Sequence, residues 1–446
     1  MSFFQKQIKT KLLIIAALLC FCGTTAFSQT TTLDLSKAIQ IALSESPTVR
    51  IANRDVEIKR YYKKEQIVSL FPELSASASY NRTIKKQVMV MDMPSMPEPM
   101  EIEVGTYNNY SAALSFSLPV IMPALWKSLE LAQVDIDLAQ ENLRASRVAI
   151  VNQVKQAYYT YLFAKESYEV LKLNYANNEL NLKNITSKYE QGLASEFDLL
   201  RADVQLKNLR PNLTDAEKAV KLSSMMLKVV IGLDVNEDVV FEGSLAEYES
   251  MLLNEIPYNE SSTFENNTNM VQMAYAEKQL ELARKITISN ACPSLAIGGS
   301  ASYATMSNDF KFANYNWFPY SMVSLSLNVP ITSWASTSYK LKQNKLNQIN
   351  LADQKMNLER NLRVSLINNI NIIDKAKENY ISNGETVKQA ERAYNICQKQ
   401  YEVGMVTWLD LSSAELALTS ARLSYNQAVY DYMRALADLD ELMGKE

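Results

Sequence analysis

The chain contains no histidine. The usual general base near neutral pH, which is also the commonest metal ligand, is therefore missing. No Ser/His/Asp set, no paired carboxylates and no phosphate-cradling glycine loop stand in its place, so the sequence points to no enzyme, no cofactor and no metal. Cysteine is scarce as well. Cys20 and Cys22 fall in a leader segment, which leaves Cys292 and Cys397, 105 positions apart (397 − 292). Two cysteines make no disulfide framework, and both are expected to be unpaired. The formal net charge is only −4 with both signs interspersed, which argues against nucleic acid. Beyond residue 28 no apolar run reaches the roughly 20 residues of a membrane helix. An exported chain with these absences is either soluble or a β-barrel protein.

Export itself is expected from residues 1–28. Lys6, Lys9 and Lys11 precede an apolar run over 12–21, and Ala26-Phe27-Ser28 gives a small-residue exit, the pattern of a cleaved signal peptide. Neither Cys20 nor Cys22 follows the small residues of a lipoprotein cleavage site, so no lipid anchor is expected.

What the chain does have is a repeat. Tyr189, Gly192, Asp198, Leu199 and Ala202 recur as Tyr401, Gly404, Asp410, Leu411 and Ala414, at an offset of 212 (401 − 189). Leu227 and Gly232 recur as Leu439 and Gly444 at the same offset. A constant offset of this length means one large unit used twice. The boundaries are placed at 29–232 and 269–446, with an acidic, Asn/Ser-rich insertion of short helix and loop over 233–268. In both copies Tyr-x-x-Gly interrupts a helical pattern that resumes within a few residues, which is how a helix turns back. The turns are expected near 189–198 and 401–410.

Long helices flank both turns. Ile150, Val154, Ala157, Tyr161, Ala164, Tyr168, Leu171 and Tyr175 step by four and three, as do the series from Leu206 to Val230 and from Ala414 to Leu442. Heptads of this length predict helices packed side by side. One is expected over 123–189, roughly 100 Å at 1.5 Å per residue, and another over 334–401, its seam interrupted by Asn368, Asn369 and Asn371. A short helix over 33–43 and one from Ser46-Pro47 to about 70 come before them. Seams alone do not separate a solid bundle from a hollow wall.

Between helices the period changes to two. Leu74, Ala76, Ala78 and Tyr80 alternate with serines, and so do Leu114, Phe116 and Leu118 up to Pro119. Ile297, Gly299, Ala301 and Tyr303, then Val323, Leu325, Leu327 and Val329 up to Pro330, repeat the pattern. Strand pairs are expected at about 73–82 with 108–119, and 295–305 with 316–330. One face is apolar and the other small and uncharged, which suits lipid outside and a wet interior. A two-hairpin soluble sheet is the alternative. Tyr107, Tyr110, Tyr315, Trp317, Phe318 and Tyr320 lie near strand ends, where an aromatic girdle belongs. The smallest membrane barrels need about eight strands, and an open edge cannot sit in lipid. Four strands therefore imply oligomerisation, and three copies supply twelve.

Taken in order, these features resemble the outer-membrane efflux protein (TolC) family over essentially the whole mature length. The resemblance is carried by Leu33-x-Leu35-x-x-Ala38-Ile39-x-x-Ala42-Leu43 with Ser46-Pro47, by the Pro72 and Pro293 junctions, by Leu118-Pro119-Val120 and Val329-Pro330-Ile331, and by both Tyr-x-x-Gly-x5-Asp-Leu-x-x-Ala turns. It implies a mainly α fold with a small β part: a homotrimer whose long helical hairpins form a periplasmic α-barrel and whose twelve strands form a barrel in outer-membrane lipid. It also implies a passive exit duct docked to a periplasmic adaptor (membrane fusion protein) and an inner-membrane pump. By position, Asp410 matches the family's pore-constriction aspartate. Ser413 stands where better-studied members carry a second acid. Helix capping is the other reading of Asp410, and of Asp198. Gly192, Leu193, Ser195, Leu199, Ala202, Gly404, Met405, Thr407, Leu411 and Ala414 are the candidates for adaptor docking, with packing between hairpins as the alternative. A loop over 89–104 carries Met89, Met91, Met93, Met96 and Met100 with three prolines. It reads as an extracellular loop, or as soft ligands for Cu(I). The rival from another class is a barrel-anchored adhesin stalk, which needs helices that run one way; a soluble periplasmic scaffold is a third reading.

Overall fold

Helix length dominates the architecture, because apolar residues continue on the four-three rhythm with few interruptions. The computed structural model describes residues 31–91, 100–252 and 264–446. In chain order these form β1 (Thr31–Leu33), α1 (Leu35–Glu45), α2 (Pro47–Val68), β2 (Glu73–Arg82), β3 (Gln87–Met91), β4 (Met100–Val104) and β5 (Asn108–Ile121). There follow α3 (Pro123–Glu190), α4 (Glu196–Ile231), β6 (Val239–Phe241), α5 (Glu249–Leu252) and α6 (Thr268–Ser289). The chain closes with β7 (Ser294–Ser307), β8 (Phe318–Asn328), α7 (Ser333–Glu402) and α8 (Trp408–Leu442). The duplication is explicit in the lengths: α3 and α7 have 68 and 70 residues, α4 and α8 have 36 and 35, and α2 and α6 have 22 each. Gly232 and Gly444 both adopt positive φ just beyond α4 and α8, where only glycine avoids the left-handed penalty.

The described residues fall into two compact units that cut across the repeats. One gathers 31–46, 151–252 and 372–437; the other gathers 47–91, 100–150, 264–371 and 438–446. Each draws on both copies, because long helices from the two repeats pack alongside one another.

The second unit holds an antiparallel sheet in the order β2-β5-β7-β8. Its register sets Leu74 beside Phe116, Phe116 beside Gly299 and Gly299 beside Val323, while Ser75, Ser115 and Ser300 share the opposite face. The expected alternation therefore lines up across all four strands. Phe116 lies over Gly299 so closely that a Cβ there would overlap the ring. Tyr80 and Tyr110 stack at 4.7 Å, and Tyr110 meets Phe312 at 5.0 Å, so part of the expected aromatic girdle is a packed cluster.

Several boundaries differ from the sequence expectation. The first helix starts at Leu35, not 33, because Asp34 caps it by accepting the Lys37 N–H at 2.7 Å. Leu33 instead pairs with Phe241 in a parallel β1–β6 ladder, so the insertion over 233–268 contributes a strand as well as helix and loop. Three residues are too few to show an alternation. Over 89–104 the described residues are not loop: β3 and β4 pair as an antiparallel ladder, Met89 opposite Ile102. Met93 and Met96 lie outside the described residues. Strand β5 runs past Pro119 to Ile121 with a register shift between them; beyond Ser117 it has no β2 partner, an edge position where a proline is tolerated. The α7 seam passes through buried Leu362, Leu366, Ile373 and Ala376; Asn368 and Asn371 lie exposed beside it, and half-buried Asn369 holds the seam position between Leu366 and Ile373, so of the three asparagines it alone interrupts the apolar row.

Replacing Gly299 with valine is expected to cost about 1–3 kcal/mol through displacement of Phe116. The temperature at which the heat-modifiable folded band disappears in gels should fall. Gly298→Ala should change it little, since the new methyl meets the movable Ser324 Oγ at 3.1 Å and the Phe116 carbonyl oxygen at an ordinary 3.6 Å.

Candidate functional site

Both fold-backs lie in the first unit and are built alike. In the first, Gly192 has φ 73°; its N–H donates to Tyr189 O at 2.9 Å and the Leu193 N–H donates to Lys188 O at 2.8 Å. In the second, Gly404 has φ 77°; its N–H donates to Tyr401 O at 3.1 Å and the Met405 N–H to Gln400 O at 2.9 Å. Each is a glycine C-cap that satisfies the last carbonyls of a long helix.

The returning helices then start with reciprocal caps. The Ser195 hydroxyl donates to Asp198 Oδ2 at 2.6 Å and accepts the Asp198 N–H at 3.1 Å. The Thr407 hydroxyl donates to Asp410 Oδ2 at 2.6 Å, the Thr407 N–H donates to the same oxygen at 2.9 Å, and the Asp410 N–H returns to Thr407 Oγ1 at 3.3 Å. Capping is thus part of what Asp198 and Asp410 do. The Thr407 hydroxyl and N–H also hold the exposed Asp410 carboxyl below the usual aspartate range, which keeps it ionised. Ser413, three residues on, is exposed as well.

The candidate docking residues divide. Ala202 and Leu411 are 2% and 0% exposed. They pack with Ile185 and Trp408 in a core that joins the two fold-backs, with Leu199, Tyr401 and Cys397 against it. Leu411 and Ala202 therefore have no surface to offer a partner, which corrects their placement in a docking groove. Leu199 and Ala414 are half-buried. The Tyr401 ring meets Trp408 at 6.2 Å and lies under Lys188 Nζ at 4.4 Å, whereas Tyr189 is exposed. Leu193 and Met405 are 74% and 75% exposed, and no atom lies within 4 Å of a Cβ built on Gly192 or Gly404. Cys292 and Cys397 are both free thiols, and burial pushes the Cys397 thiol up.

Sequence reasoning missed two features. A second apolar stripe, off the heptad seam, is exposed at Phe197, Leu200 and Val204 and again at Leu409 and Leu416; its four- and seven-residue spacing was there to find. The other is Glu415, five residues on from Asp410 and 3% exposed. Neither carboxylate oxygen meets a donor in hydrogen-bond geometry. Around it stand buried Asn174 and Asn178, the former donating to Thr419 Oγ1 at 2.6 Å. Desolvation pushes the Glu415 carboxyl up to about 7, the Asn177 and Asn178 side chains offsetting it only in part.

A family model described as outer membrane efflux protein matches residues 38–233 and 261–445. The chain belongs to the outer membrane efflux protein family. It is an outer-membrane efflux channel and no enzyme, with its helical part in the periplasm. Outer membrane protein TolC of Vibrio cholerae is 22% identical over 395 residues, covering 84% of this chain and 82% of that protein. The probable efflux pump outer membrane protein TtgC of Pseudomonas putida is 23% identical over 417 residues, covering 90% and 82%. Among solved structures, the Campylobacter jejuni CmeC outer membrane channel superposes with a TM-score of 0.72 at 18% identity, covering 92% of this chain and 85% of that one. The open state of the Neisseria gonorrhoeae MtrE outer membrane channel gives 0.73 at 19%, covering 92% and 89%. The helices double back at Gly192 and Gly404, which a one-way adhesin stalk cannot accommodate.

Burial favours the protonated form of Glu415 in the native chain up to about pH 7, whereas an unburied glutamate releases its proton near pH 4.5. Stability should therefore fall as pH rises from about 4.5 to about 7, by roughly 2–3 kcal/mol, and then level off. Glu415→Gln is expected to flatten that decline and raise the apparent melting temperature at pH 8. An unchanged pH slope in thermal melts of the variant would show that Glu415 is ionised in the native state.

Proposed function

We propose that three copies of this chain close into one passive exit duct, with the paired fold-backs forming its periplasmic mouth. The observation that carries this is the four-stranded sheet, in which β2 and β8 each have one neighbour among the described residues. In lipid the outer N–H and C=O groups of both strands need partners, and four strands fall short of the roughly eight of the smallest membrane barrels. Joining β2 of one copy to β8 of the next satisfies both edges and gives twelve strands.

Channels of this family work with a periplasmic adaptor and an inner-membrane pump. For this chain, Leu193 and Met405 beside the bare glycines Gly192 and Gly404, with Ser195 and Thr407 next to them, are the adaptor contact. The stripes through Leu200 and Val204 and through Leu409 and Leu416 face neighbouring copies. Three Asp410 carboxylates, ionised and exposed, ring the constriction with Ser413 beside them and favour cations. A single acidic ring per channel follows, since Ser413 carries no charge.

Single-channel recording in planar bilayers tests the pore. Asp410→Asn keeps an oxygen for the Thr407 cap and removes the charge, so cation selectivity should drop severalfold with the helices intact. Unchanged selectivity would remove Asp410 from the constriction. Leu193→Glu with Met405→Glu should leave conductance and melting unaffected while abolishing cross-linking to the adaptor in cells. Retained cross-linking would place docking elsewhere.

A further inference from the structure

Where α6 hands over to β7, and β8 to α7, the two helices leave an open groove of about 670 Å³. Its lining has a direction. Ile288 and Trp334 lie within a few residues of the strands, Leu341 comes next, and Arg284, Lys342 and Lys345 stand further along the helices. No carboxylate lines it. The next stretch of the same helix pair reverses the balance, with Glu277, Glu281 and Glu359 against Lys355. Cations are thus concentrated at the sheet end and are not a uniform solubilising coat.

We propose that this groove binds an anionic phospholipid of the periplasmic leaflet, its glycerol and upper acyl region against Trp334 and Ile288 and its phosphate on Arg284, Lys342 and Lys345. The proposal rests on the sheet crossing the outer membrane. Three points on the molecule support it. The apolar-to-cationic order along the groove follows the order of a phospholipid from chain to phosphate. Arg284 lies five residues from the end of α6, roughly 8 Å, and lysine side chains extend toward a headgroup while their stems lie on apolar surface. Exposed Ile331 follows the odd-numbered apolar row of β8, and exposed Trp334 opens α7 beside it, which puts an unburied tryptophan at the sheet end of the groove, where the membrane interface favours one. The groove lies between α6, which leads into β7, and α7, which leads out of β8.

Native mass spectrometry of detergent-purified protein, incubated with phosphatidylglycerol or with phosphatidylcholine of the same chains, tests this. Phosphatidylglycerol should be retained at least fivefold over phosphatidylcholine. The triple variant Arg284→Gln, Lys342→Gln, Lys345→Gln should lose that preference while its conductance stays that of the parent. A brominated phosphatidylglycerol should quench tryptophan emission, and less so in Trp334→Phe. Equal retention of the two lipids by conducting protein, or an unchanged preference in the triple variant, would overturn the proposal and leave the channel reading intact. Full displacement of the lipid by millimolar inorganic phosphate would also overturn it, since the groove would then be a water-facing anion site. Absence of any conductance in the parent would instead count against the channel reading on which the lipid site rests.

Discussion

A strand edge in lipid has no water to satisfy it, and that constraint governs the molecule. Among the described residues the main sheet has four strands, with β2 and β8 at its edges. Within a bilayer that sheet is not a finished object. Assembly is therefore demanded by the backbone, before any side chain is considered. The side chains then conform to it: an apolar face through Leu74, Phe116 and Val323, and a serine face through Ser75, Ser115 and Ser300. Gly299 makes room for Phe116, so even the one missing side chain in that row serves the packing of the face.

The same economy appears at the fold-backs. Glycine ends each long helix, Ser195 or Thr407 starts the next, and an aspartate three residues on completes the cap. The two turns lock together through Ile185, Ala202, Trp408 and Leu411. What that packing leaves outside is small and specific: bare glycine, Leu193, Met405, and an ionised Asp410. Glu415 lies in the same unit, buried beside Asn177 and Asn178, whose side chains offset its desolvation only in part. A buried acid of this kind costs stability once ionised, so the packing between the two hairpins depends on pH.

Most of the fold was legible because it rests on periodicity. Steps of four and three located α3, α4 and α8, steps of two located β2, β5, β7 and β8, and a fixed offset exposed the duplication. Short elements were not legible: β1 and β6 are three residues each, too few for a period to show. The strands β3 and β4 were hidden by methionine and proline, which read as loop. At the site, the type of residue was informative but its surroundings were not. Leu411 and Leu193 look equally suited to docking in the sequence, yet one is wholly buried and the other is exposed. The difference arises from the opposite hairpin, two hundred residues away in the chain. Glu415 was missed for a similar reason, since the asparagines that surround it belong to α3.

The central claim is that the sheet closes only across copies. The most direct measurement is the number of chains in the detergent-extracted particle, by native mass spectrometry, together with oxidative cross-linking between single cysteines placed on the outer edges of β2 and β8. Three chains per particle, linked β2 to β8 into a covalent ring, is the expected result. A particle of one or two chains that still conducts across a bilayer would contradict it, because the two strand edges would then have found their partners some other way.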